Sequence, residues 1–259
     1  MGRIARPTRR AAARTGEFSA CSRADPVKSI ALKALAIALA LLDLAPLFFL
    51  SLGLFFLAQL VDRLDHRCRR LALSGLVLVI LGCLAGAASN LSLAVLGEDI
   101  PLLATTLHVS GAPGFALMAA AVMRARANAD GPRVSRDPWI APTLISWLFL
   151  IAAFYLNASV GGDAWSRALV ALSLSAHIVI CLGAGALGWK RQLHMAAGLF
   201  ALSAFAMILV VGLRLFTSQT IWIHILVFLL SLAAHPAFAF ASWRVAAEYR
   251  ARVGPTAPV

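Results

Sequence analysis

The sequence predicts an all-α fold, a polytopic membrane helix bundle of seven transmembrane helices, and three observations carry that expectation. Hydrophobic residues make up 61% of the 259-residue chain and charged residues only 13%, with a mean hydropathy of +0.86; a soluble domain carries about a quarter charged residues. Apolar runs of about 20 residues, the length a helix needs to cross a hydrocarbon core of about 30 Å, recur along nearly the whole sequence. The basic residues gather in the N-terminal tail and in every second short connection, as expected of loops retained on the cytoplasmic side.

The net charge of +12 would attract nucleic acid if it formed one surface, but no basic helix or aromatic stacking platform accompanies it. Nucleic acid is therefore excluded. The lipid bilayer is the expected partner, with other membrane subunits as further candidates. Cys21, Cys68, Cys83 and Cys181 are widely spaced, with no C-x-x-C and no zinc-finger histidine pair, and read as apolar fillers.

Taken in order, residues 1–27 are rich in Arg, Ala, Ser and Pro and contain no apolar run, so a disordered basic tail is expected. Its composition suggests a targeting peptide apart from Glu17 and Asp25; Val27 is an alternative start, since no Met follows until Met118. The bundle occupies 28–247. Its first span, about 31–61, is interrupted by Asp43-Leu44-Ala45-Pro46, where Pro46 should kink the helix. It forms one long crossing or a re-entrant pair of halves of about 15 residues each. The second span, about 71–96, carries Gly82-x-x-x-Gly86, a pair that lets another helix approach closely.

The third span, about 100–123, holds His108 and Pro113, which cannot donate to the Val109 carbonyl and should kink the helix. The fourth, about 139–156, opens on an interfacial Trp139. The fifth, about 168–189, contains Ser173, Ser175 and His177, and only Lys190-Arg191-Gln192 joins it to the sixth, about 193–216, so the two should form an antiparallel hairpin. The seventh, about 221–243, holds His224, His235 and a third kink at Pro236; a short tail follows at 248–259. Pro113-Gly-Phe-Ala and Pro236-Ala-Phe-Ala form a weak internal echo, one that chance produces at least as readily as duplication.

Arg63, Arg67, Arg69 and Arg70, then Arg124, Arg126, Arg133 and Arg136, then Lys190 and Arg191, then Arg244, Arg250 and Arg252 mark four regions as cytoplasmic. The expected location is the inner membrane, with a cytoplasmic C-terminus. The tail departs from the pattern: a single first crossing puts its six arginines outside.

Of the eleven acidic residues, only Asp43 lies well inside an apolar run. An ionised carboxylate there costs about 3 kcal/mol, so Asp43 must face the interior, pair with a cation or stay protonated. A structural role is the plain alternative, with Asp43 donating to the Leu42 carbonyl that Pro46 leaves free. In a single-crossing topology Asp43, His108, Arg214 and His224 all fall toward the outer side, making a candidate polar intramembrane site. Arg214, near a helix end, also suits simple snorkelling to the interface.

Histidines on facing helices are also how membrane proteins hold haem b, so His108, His177, His224 and His235 are the candidate ligands if that cofactor is bound. No metal set and no catalytic residue is expected. The seventh span has no lysine for a retinal Schiff base, no span contains H-E-x-x-H, and no Gly-x-Ser-x-Gly is present. Three functions stay open: binding or passing a small solute, ion or lipid at a polar site around Asp43, haem-based electron transfer, and a structural or assembly role.

Overall fold

The computed structural model describes residues 34, 37, 38, 40–42, 44–98, 100–130, 137–216 and 221–253. Asp43, the tail at 1–27 and the connections 131–136 and 217–220 lie outside the described residues, as do the side chains of His224 and Arg252. Seven helices follow in order: α1 (Leu44–Leu64), α2 (Arg69–Leu96), α3 (Pro101–Asp130), α4 (Ile140–Ser159), α5 (Ala164–Lys190), α6 (His194–Phe216) and α7 (Ile221–Val253), with a 3-10 turn at His66–Cys68 before α2. All seven are long and apolar enough to cross a membrane; for α1 the crossing runs over Ala40–Leu64. The fold is the multi-pass membrane bundle that composition and run lengths predict.

Sequence neighbours pack against one another through short connections, so the helices alternate in direction. Their Arg-rich ends collect on one side, the basic face. Contacts across it agree: Arg191 lies over the Tyr249 ring at 4.7 Å, and the Arg250 guanidinium donates to Gln59 at 2.9 Å. Six helices close a ring in the order α1, α2, α3, α5, α6, α7, with α7 packed back on α1. The fourth helix stays outside, against α3 and α5. Only 17% of its apolar window is buried, against 44% for α5, so α4 is largely a lipid-facing helix.

Glycine sets the closest pairing, α2 on α3. A Cβ at Gly75 would stand 2.8 Å from the Gly114 carbonyl oxygen, one at Gly114 would meet the Val79 nitrogen at 2.8 Å, and one at Gly82 would meet the Gly111 nitrogen at 2.9 Å. The helices therefore touch backbone to backbone, the arrangement that dispersion favours where lipid offers no hydrophobic driving force. Gly82-x-x-x-Gly86 belongs to this seam, as its spacing implies.

Helix lengths differ from the expected spans on the basic face. The third helix runs to Asp130 and the seventh to Val253, so the stretch counted as a tail from 248 begins as helix. Each extension is held by packing. Val245, Ala246 and Tyr249 are buried on α7, as is Ala125 on α3. Pro113 and Pro236 stand inside α3 and α7, and Pro46 lies within the Ala40–Leu64 crossing.

Candidate functional site

The bundle centre is built from large apolar side chains, among them Leu54, Leu57, Met118, Phe200 and Phe238, all fully buried. A histidine sits among them. His177 lies midway along α5, about 20 Å from either end at 1.5 Å per residue, and is 2% exposed. Its Nε2 is 3.3 Å from the Ser203 hydroxyl of α6 and 3.5 Å from the Cys181 thiol one turn along α5. Its Nδ1 is fully buried with no hydrogen-bond partner.

The ring is gripped from two sides. Phe115 of α3 meets it edge-on at 5.9 Å, and Phe238 of α7 lies tilted against it at 5.3 Å. These are the two phenylalanines of the Pro-x-Phe echo. Each follows its proline by two residues, so the two parallel helices α3 and α7 present equivalent positions to one imidazole. Whatever its origin, the echo marks a structural correspondence.

His235 is buried as well, at 6% exposure, three residues before Phe238 on α7. Its Nδ1 lies 2.7 Å from the Ser231 carbonyl, which can only accept, so Nδ1 carries the proton and Nε2 keeps its lone pair. Pro236 follows directly. The proline leaves the Leu232 carbonyl without its usual helical donor, and this break adjoins the His235 contact. The bundle interior thus holds one histidine with a nitrogen that has no partner among the described residues and another with a basic nitrogen.

The other expected site residues are distributed differently. His108 is half-buried and meets Trp165 of α5 edge-on at 5.8 Å. Arg214 is exposed at the end of α6, the position from which a guanidinium reaches the interface. Helix α3 makes no extended contact with α6 or α7. Asp43 and the His224 side chain lie outside the described residues, so the expected outer cluster is represented by two groups on different parts of the bundle. Of the four haem-ligand candidates, His177 and His235 are the two that are buried among the described residues.

A second polar cluster was not anticipated. Asp65, grouped with the acids of connections, has its side chain only 8% exposed on the basic face, beside Arg124 of α3 at 12%. Its Oδ2 accepts from Asn128 at 2.6 Å and from the Cys68 thiol at 3.2 Å and stands 3.4 Å from Arg124 Nε, while its Oδ1 accepts the Arg67 N–H at 3.1 Å. Asp65 also caps the 3-10 turn at His66–Cys68. That local role is readable from an Asp just ahead of a helical start; the partners 59 and 63 residues away are not. Cys68 and Cys181, expected as fillers, each sit beside a polar partner.

Among the described residues, no three of His, Cys, Asp and Glu are grouped as a metal ion would need. Comparison with protein-family models, with curated proteins and with solved structures returns no match. Function is therefore argued from the site alone.

Proposed function

We propose that this multi-pass protein binds or passes a small ion through its core, with the proton as the species that the His177 site fits. The observation that carries the reading is the unpartnered, fully buried Nδ1 of His177. A polar nitrogen left without a partner in an apolar interior costs about 1–3 kcal/mol, and an ionisable residue at membrane depth is a functional candidate for that reason. The chemistry of the ring selects the cargo. Phe115 and Phe238 pack against it, and imidazoles pass a proton between nitrogens.

Asp43, beside the start of α1, is the second group of this proposal, as the acid of the outer half. The protein lies in the inner membrane with the basic face toward the cytoplasm, on the strength of the charge distribution. For the haem reading, the burial of His177 and His235 is the supporting observation.

The test is dissipation of an imposed pH gradient by the full chain in proteoliposomes, followed with a trapped dye. Wild type should carry protons, and His177→Phe should slow the flux about tenfold or more. Ser203→Ala, which preserves the packing, is the second variant and should also slow it. Flux no faster than in protein-free vesicles, or unaffected by both variants, would overturn the reading in favour of a structural role. A Soret band in the purified protein would replace it with electron transfer.

A further inference from the structure

Between the start of α2 and the start of α4 the basic face opens into a cavity of about 720 Å³, lined among others by Arg67, Arg69, Arg70, Leu73, Asp137 and Trp139. We propose that this cavity holds the headgroup of an anionic phospholipid from the surrounding leaflet. The proposal is independent of any role for His177.

Charge is the first argument. Three arginines face one carboxylate, and the acids nearby are already engaged: Asp137 accepts the Trp139 N–H at 3.0 Å, and Asp62 holds His66 at 2.7 Å and Arg69 at 3.7 Å. Among the described residues no acid is paired with Arg67 or Arg70. Arg69 and Arg70 also stand in the first turn of α2, which contains no acid; cations are disfavoured at that end of a helix, and an anion between them offsets the cost.

Position and shape select a lipid over a free anion. The cavity sits where two spans begin, at the level of the headgroups, with Trp139 placed as an interfacial anchor. Above it, Leu73 leads into the exposed stripe of Val77 and Leu81 on α2, and α4 presents Ile140, Leu144 and Leu148. Exposed apolar residues above a basic mouth match acyl chains joined to a phosphate. Inorganic phosphate has no use for those residues.

Native mass spectrometry of the purified full chain, titrated with phosphatidylglycerol and in parallel with phosphatidylcholine, tests this. The first phosphatidylglycerol should bind about tenfold or more tightly than phosphatidylcholine, and Arg67→Gln with Arg70→Gln should remove that preference, as loss of two juxtamembrane cations implies. Arg244→Gln, exposed elsewhere on the basic face, should preserve it, and millimolar inorganic phosphate should not displace the lipid. Equal affinity for the two lipids, an equal loss in Arg244→Gln, or displacement by phosphate would each overturn the proposal, the last by assigning the cavity to a free anion.

Discussion

Asp65→Ala is expected to destabilise the protein by about 3–5 kcal/mol, because it removes the carboxylate that stands 3.4 Å from the buried Arg124. The same change strips Asn128 and Cys68 of their acceptor and removes the cap of the 3-10 turn. Arg124→Leu should cost clearly less. The carboxylate it leaves behind still accepts from Arg67, Cys68 and Asn128, and the 3.4 Å contact with Arg124 Nε is an ionic approach rather than a well-formed hydrogen bond. The double variant should then recover much of the Asp65→Ala loss, since no buried charge remains. Unfolding of the three variants in bicelles measures this, and simple additivity of the two single losses would show that the pair is not coupled.

Gly114→Ala should destabilise by about 1–3 kcal/mol, toward the upper end of what overpacking costs. The new methyl would meet the Val79 nitrogen at 2.8 Å and the Gly75 carbonyl oxygen at 2.9 Å, and backbone atoms cannot rotate aside. Gly198→Ala in α6 is the comparison. Nothing stands within 4 Å of a Cβ there, so the usual gain of up to about 1 kcal/mol for replacing a helical glycine should appear. The two substitutions are chemically identical and opposite in expected sign. Equal effects in the same melting assay would mean that the α2–α3 seam is looser than these distances.

The seven helices were legible because each crossing needs its own apolar run. Hydropathy shows where the chain leaves lipid, however, and not where a helix ends. Helix α3 runs past Met123 because Ala125 is buried and Asn128 bonds Asp65; α7 runs past Trp243 because Val245 and Tyr249 have neighbours to pack on. Pairing order was not legible either. Short loops imply that α5 and α6 are adjacent, but nothing local says that α4 is displaced while α3 and α5 meet. Among the polar residues, the rule of counting acids inside apolar runs selects Asp43 and passes over Asp65, whose burial depends on side chains about 60 positions away. His177 was visible as a histidine in a span. Its place between Phe115 and Phe238 depends on three helices meeting, and only the proline spacing of the echo hinted at it.

The closure of the ring by α7 on α1 also has a consequence in time. Helix α1 makes its largest interface with α7, the last of these seven helices in chain order, and 189 residues separate the end of α1 at Leu64 from the end of α7 at Val253. At about 5–20 residues per second, α1 therefore waits roughly 10–40 s in the bilayer with Gly53 and its neighbours facing lipid in place of Phe238. A chain truncated before α7 never fills that face, and its first helix stays unpaired there.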